Sequence, residues 1–295
     1  MREVRVEDVR AYWDAYPADH REPKAPEGTK EYFDMVRRLR YGEYEPFLRD
    51  IVGFEQYKGK KVLEIGCGMG SDGVSFAIAG AEYTGIDLTP HNVELARKQL
   101  ECYGVTGTVR VMDAENLEFP DNAFDCVYSH GVIHHSLHTE AIVGHIYRTL
   151  KPGGHAHVMV YHRNSFRYYV EIMALRRIGI LLLGLPGRIS FVQLVTRGQA
   201  EAIEEYRNLL KKEGFSLLRS GRFLTINTDT AYNPLSKVYT RKTARKLFGQ
   251  FERVGFRTAY MDWRRLPLLR NMTRLDSWLS KRIGWFLFIK AYKGA

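Results

Sequence analysis

From Lys60 onward the apolar residues fall into two alternating kinds of segment. Five short runs, 60–66 (KKVLEIG), 82–88 (EYTGIDL), 108–114 (TVRVMDA), 123–131 (AFDCVYSHG) and 155–163 (HAHVMVYHR), are of strand length and rich in Val, Ile, Tyr and Phe. Short apolar runs of this kind are how strands covered on both faces of a parallel sheet read. Helix-length segments separate them, each with its own punctuation. Gly80 closes 71–81, Thr89-Pro90 opens 89–104 as a cap followed by proline, and Pro152-Gly153 stops the segment that begins at His138. One helix per strand predicts a parallel sheet with right-handed crossovers, whose ligands bind at the carboxyl ends of the strands.

Two stretches break the alternation. Residues 1–58 read as helical and aromatic-rich around a Pro/Gly/charge linker at 18–28, and predict an N-terminal helical cap. Residues 163–238 read as an insertion placed over the strand ends, after which a helix (240–251) and strands at 255–263 and 284–292 resume the pattern. The predicted division is a cap at 1–58, a core at 59–162, an inserted lid at 163–238, and the last helix and two strands at 239–295.

A chain of 295 residues with 45% hydrophobic and 26% charged positions can bury a full core. Its first residues carry charges throughout and no apolar core of a secretion signal, and the longest apolar run, 178–185, is too short to span a bilayer. The three cysteines, Cys67, Cys102 and Cys126, form no CxxC, which predicts a reducing, cytoplasmic setting without disulfides or structural zinc. Charge is divided unevenly. Residues 1–160 hold 18 basic against 25 acidic residues, a balance of −7; residues 161–295 hold 26 against 9, a balance of +17. The back half is thus suited to something anionic.

The chemistry centres on residues 62–73, VLEIGCGMGSDG, with four glycines in eight positions. Gly68, Gly70 and Gly73 spell G-x-G-x-x-G, the dinucleotide pattern; Glu64, Gly66, Gly68 and Gly70 spell a second one. Both registers predict a bare turn at a helix N-terminus and an acid about 20 residues on for ribose hydroxyls, a place Asp87 fills. Glu64 breaks the tie, since it would repel a pyrophosphate and welcome an ammonium. A second acid, Asp113, ends the third strand in a position suited to an adenine amine, and no nicotinamide or hydride-handling pocket is apparent.

VLEIGCGMG, TGIDLT, DAENLEFPDNAFDCVYS, GVIHH and LKPGG, in this order, resemble the class I S-adenosylmethionine-dependent methyltransferases, especially their type 11-like group. The resemblance is close over roughly 58–162 and looser in the final helix and strands. It implies an α/β, Rossmann-like seven-stranded sheet with helices on both faces. It also implies S-adenosylmethionine as cofactor, S-adenosylhomocysteine as product, and no metal. In its terms Asp87 binds the ribose diol, Asp113 and Ala114 flank the adenine, and Gly66, Gly68 and Gly70 let the backbone approach. Glu64 organises the loop and the amino end, and Cys67 is a small turn residue rather than a nucleophile. Asp72, Leu88, Ser129, His130 and Tyr41 complete the candidate cofactor set.

Eight of the ten histidines lie between His130 and His162. His155 and His157 begin the fifth strand, far from its carboxyl end, and His145 falls mid-helix, so these read as structural. His130, His134 and His138 share i, i+4, i+8 spacing, a metal-binding face on a helix, but the strand-to-loop boundary at Ser129–Gly131 spoils that register. His134 and His135 are left as residues that shape the pocket or serve as candidate bases, with Tyr161 and His162 ending the fifth strand beside the acceptor and 227–234 (NTDTAYNP) closing over it. No Asn/Asp-Pro-Pro-aromatic motif follows the fourth strand, which argues against adenine or glutamine nitrogen as acceptor. The expected reaction is methyl transfer to O, N or S of a small molecule or peptide, with the basic back half favouring an anionic acceptor such as a carboxylate. Two alternatives stand beside it. One is RNA methylation, with the basic half as phosphate footprint. The other is a non-catalytic or peripheral membrane protein using 178–192 and 284–290.

Overall fold

Seven strands, β1 (Lys61–Ile65), β2 (Glu82–Asp87), β3 (Thr108–Val111), β4 (Phe124–His130), β5 (Leu150–Tyr161), β6 (Arg253–Ala259) and β7 (Phe286–Tyr292), form one sheet in the computed structural model. It describes residues 4–16, 24–183, 200–229, 232–261 and 273–295. Most of the 18–28 linker, the end of the apolar run 178–185, and two residues of the 227–234 stretch lie outside these. The order is β3-β2-β1-β4-β5-β7-β6. The first five strands are parallel; β7 runs antiparallel between β5 and β6.

Alternation along the strands divides the core in two. Val62, Cys126, Tyr128, Met159 and Phe288 face one side, where they pack with α4 (Ser71–Ile78) and α5 (Pro90–Cys102). Leu63, Ile65, Val127, Val158, Val160 and Ile289 face the other, against α6 (Thr139–Thr149) and the helix Arg241–Leu247. Both faces being covered explains why the central strands read as unbroken apolar runs.

Two strand ends depart from the sequence reading. β3 stops at Val111, because Asp113 turns its carboxylate onto the backbone N–H of Glu115 (2.9 Å) and opens a 3-10 turn, Ala114–Asn116. β5 starts five residues early, at Leu150, by pairing Leu150 with Phe124; the register then shifts before Cys126 meets His155. Lys-Pro-Gly-Gly is thus an irregular strand entry rather than a helix stop. His155 and His157 sit low on β5, His155 Nε2 2.9 Å from the Tyr57 hydroxyl and His157 buried against Tyr128 and Phe288.

Before the sheet come α1 (Val6–Ala15), α2 (Lys30–Arg38), a π-helical turn Leu39–Tyr44 and α3 (Leu48–Val52). After β5 a helix runs from Arg167 to Leu183, π-helical to Arg176 and α-helical as α7 (Arg177–Leu183). Ala200–Glu213 and Ser220–Thr228 follow as further helices. Among the described residues no helix is long and apolar enough to cross a membrane.

Candidate active site

The glycine turn joins β1 to α4, with Gly66, Gly68 and Gly70 all at positive φ (72°, 52° and 92°). Each is bare for a different reason. A Cβ on Gly66 would stand 2.3 Å from Val132, in the loop after β4, so this glycine closes the turn onto that loop. A Cβ on Gly68 would meet nothing within 4 Å: here the backbone faces open space. Gly73, the third glycine of the dinucleotide register, has another duty. Tyr83 passes beside it and Gly85, where added Cβ atoms would lie 2.4 Å from the phenol, and donates to Glu64 Oε2 at 2.6 Å.

Two acids lie to one side of the open turn, Asp87 at the end of β2 beside β1 and Asp113 just past β3, one strand further out. Asp87 Oδ2 accepts the Gly68 N–H at 2.9 Å, while Oδ1 accepts both the N–H and the hydroxyl of Thr89 at 2.9 Å. The carboxylate is therefore oriented before any ligand arrives. Asp113 is fixed likewise, two residues past β3 as the cap of the 3-10 turn, with Leu88 and Ala114 partly exposed beside the two acids.

Beneath the turn lies a buried charged cluster. Asp72, 3% exposed, accepts Arg40 Nε at 3.1 Å and Nη2 at 2.7 Å, the Tyr41 hydroxyl at 2.6 Å and the Tyr128 hydroxyl at 2.8 Å. Burial alone would raise its carboxyl, but the Arg40 charge and these donors hold it well below the usual range. Arg37 adds a hydrogen bond to the Ser71 carbonyl, so the segment before α3 clips onto the start of α4. Glu45, also buried, is held below the usual carboxylate range by His130, 2.9 Å away, and by Arg40. Glu64 is the exception. Burial, with Asp72 and Asp87 close by, pushes its carboxyl well above the ordinary value. Ser129 donates to the Ile65 carbonyl at 3.0 Å and ties β4 to β1. Burial raises the Cys67 thiol, which leaves it no nucleophile.

A second cluster stands where β4 and β5 end. His134 and His135 occupy a 3-10 turn, Ile133–His135. The His134 ring lies 3.9 Å from that of Tyr161, is wholly buried, and has no hydrogen-bond partner on either nitrogen. Burial, then the neighbouring His135 and His130, lower its pKa well below the ordinary value, so the ring is neutral. His135 Nδ1 donates to the Leu235 carbonyl at 2.8 Å, and its Nε2 lies 3.6 Å from Asp229 Oδ2. Tyr161 donates to Asp229 Oδ1 at 2.6 Å, and Asn233 holds Oδ2 at 2.8 Å. Trp13 of α1 packs edge-on against His135, ring centres 5.0 Å apart.

His134, His135 and Tyr161 are thus brought together; His162 is not. Next along β5 it faces the opposite side of the sheet, where Nδ1 donates to the Gly284 carbonyl at 3.0 Å. The i, i+4, i+8 histidines share no helix: His130 ends β4, His134 lies in the turn and His138 precedes α6. Among the described residues no group of three or more His, Cys, Asp or Glu is placed to hold a metal ion. Asp229 and Arg40 are the residues whose parts the sequence left unsingled. Asp229 sat unmarked within 227–234, and Arg40 within the 1–58 cap.

A bare turn after β1 with acids at or just past the ends of the next two strands, on a parallel sheet with one antiparallel strand, is the frame of a Rossmann-like cofactor-binding enzyme. The comparisons narrow the class. Residues 63–158 match the Methyltransferase domain family. A ubiquinone biosynthesis O-methyltransferase of Chromobacterium violaceum is 30% identical over 62% of this chain and 72% of its own length. The chain belongs to the class I S-adenosylmethionine-dependent methyltransferases. A sterol 24-C-methyltransferase of Gibberella zeae is 27% identical over 52% of this chain and 48% of its own; the chain spans about half the length or less of the sterol methyltransferases it matches first. In fold it is similar to the magnesium protoporphyrin IX methyltransferase of Synechocystis, with TM-score 0.53 and 16% identity over 97% of this chain and 98% of that one.

Proposed function

We propose that this chain transfers a methyl group from S-adenosylmethionine to a small molecule that must give up a proton on being methylated. The cofactor fits the residues present. The open face of Gly68 admits a ligand to the backbone, and Asp87 and Asp113 stand ready for its ribose hydroxyls and adenine side. A cationic amino acid end would restore charge to Glu64, whose raised carboxyl has no strong cationic partner of its own. When bound, S-adenosylmethionine supplies a methyl carbon already activated by a positive sulfur. The protein's task is then to align the acceptor and exclude water, an effect of about 7–11 kcal/mol at most. In this reading residues 1–58 and 163–238 act as cap and lid.

One observation carries the acceptor class: a neutral, fully buried His134 with both nitrogens unpartnered. A buried polar atom left unpaired costs about 1–3 kcal/mol. An acceptor hydroxyl, or a carbon shedding a proton beside its new methyl, would satisfy the ring and hand it that proton. Tyr161, kept protonated by burial and by Asp229, stays a donor and shapes the pocket wall. An O-methyltransferase and C-methyltransferases stand among the relatives, and both kinds of acceptor fit this requirement. A carboxylate, which the +17 balance of residues 161–295 favours, needs no base and is the second reading.

Tritium-labelled S-adenosylmethionine offered with alkyl-substituted phenols and, separately, with fatty acids decides between them. We expect label on the phenols. Because the His134 pKa is lowered, the base stays unprotonated as pH falls past the ordinary histidine value of about 6.5, so the acid limb of kcat/KM should lie below it. Label on carboxylates alone, at a rate independent of pH, would refute the reading.

A further inference from the structure

We propose that Asp229 is a positioning residue for the methyl transfer, setting the His134 ring through the two rings packed against it. Among the described residues neither nitrogen of His134 has a hydrogen-bond partner, so no polar contact orients this side chain. Packing orients it instead: the Tyr161 ring lies 3.9 Å away and the His135 ring 4.2 Å, centre to centre. One carboxylate faces both neighbours. Asp229 Oδ1 accepts the Tyr161 hydroxyl at 2.6 Å, and Oδ2 lies 3.6 Å from His135 Nε2.

Asp229 is itself held from two sides. It follows the helix Ser220–Thr228, whose last carbonyls are taken by arginines of the helix Arg167–Leu183. Arg176 donates to the Asn227 carbonyl at 3.0 Å and Arg167 to that of Thr228 at 3.2 Å, which fixes where the chain leaves the helix. From the other side the buried Asn233 donates to Oδ2 at 2.8 Å. Asn233 Oδ1 accepts the Leu235 N–H at 3.1 Å, and the Leu235 carbonyl accepts His135 Nδ1. Contacts thus run in a circuit through Asp229, Asn233, Leu235 and His135, with Tyr161 fastened to the first. An acid of the 163–238 insertion thereby governs a base that stands in the loop after β4.

This role is separable from folding. The Lys237 N–H donates to the His134 carbonyl at 2.9 Å and the Tyr239 N–H to the Tyr161 carbonyl at 2.8 Å. Neither bond involves the Asp229 carboxylate, so the stretch stays seated when that residue is replaced. The glycine turn is held by Asp87 instead. That the reaction is methyl transfer rests on the reading above; the placement of His134 by Asp229 does not.

Asp229→Ala is compared with the native full chain in two ways. With tritium-labelled S-adenosylmethionine and alkyl-substituted phenols, we expect kcat to fall at least about tenfold, toward the roughly 10²-fold that a 1 Å misplacement costs, with KM for S-adenosylmethionine within about twofold. Added to Tyr161→Phe/His135→Gln, the same substitution should cost less than about twofold more, because residues acting as one unit are not additive. Magnetic resonance of ring-labelled histidines reads the placement without turnover. The His134 and His135 signals, assigned with His134→Gln and His135→Gln, should move in Asp229→Ala while those of His155 and His157 stay. Unmoved His134 signals, an unchanged kcat, or a full further loss in the combined variant would each overturn the positioning role. Moved signals in a chain that labels no phenol would instead remove the acceptor reading and leave the placement standing.

Discussion

Asp72→Ala is expected to lower the unfolding free energy by about 3–5 kcal/mol, the range for breaking one side of a buried ion pair. The substitution strips Arg40, 12% exposed at its side chain, of the carboxylate that holds it through two hydrogen bonds. It also leaves the Tyr128 hydroxyl, buried in the sheet core, without its acceptor. Glu45 stays 3.9 Å from Arg40 but is itself bound to His130, and Glu64 is turned to Tyr83, so neither takes over the two short hydrogen bonds. Urea unfolding followed by far-ultraviolet circular dichroism measures the loss. Because the cluster fastens the segment before α3 to the start of α4, S-adenosylhomocysteine affinity should fall with it. A loss below about 1 kcal/mol would mean the pair is worth no more than an exposed one.

His134→Gln is expected to lower kcat by about 10²–10⁴-fold, the usual share of a positioned base, and to leave S-adenosylhomocysteine affinity within about twofold. Its ring is the neutral one at the strand mouth with two unpartnered nitrogens. Glutamine fills similar space and keeps hydrogen-bonding atoms, but takes no proton. His135→Gln should cost less, since one nitrogen of His135 is already committed to the Leu235 carbonyl. A single-turnover rate unchanged in His134→Gln would remove the proton-acceptor role.

The sheet was legible because strands covered on both faces carry continuous apolar runs, and helix caps and glycine stops fall between them. What failed was local competition at strand ends. Asp113 spends its carboxylate capping a turn and shortens β3, and Leu150 finds Phe124 before the Pro-Gly-Gly irregularity can end the helix. The glycine turn and its strand-tip acids were legible as a spacing. The parts of Arg40 and Asp229 were not, because each meets its partner across a long sequence gap, 32 residues to Asp72 and 68 to Tyr161. No period or motif encodes such a meeting. The placement of His162 was legible in principle. Adjacent residues on a strand point to opposite faces, so Tyr161 and His162 cannot both line one pocket.

Calorimetric titration of S-adenosylhomocysteine into the full chain, beside Asp87→Asn, reaches the cofactor site most directly. Asparagine keeps an acceptor for the Thr89 cap but lacks the charge that strengthens hydrogen bonds from ribose hydroxyls. Saturable binding to the native chain, weakened at least about tenfold by Asp87→Asn, is the predicted result. No heat with S-adenosylhomocysteine, and saturable binding of a nicotinamide dinucleotide in its place, would contradict it.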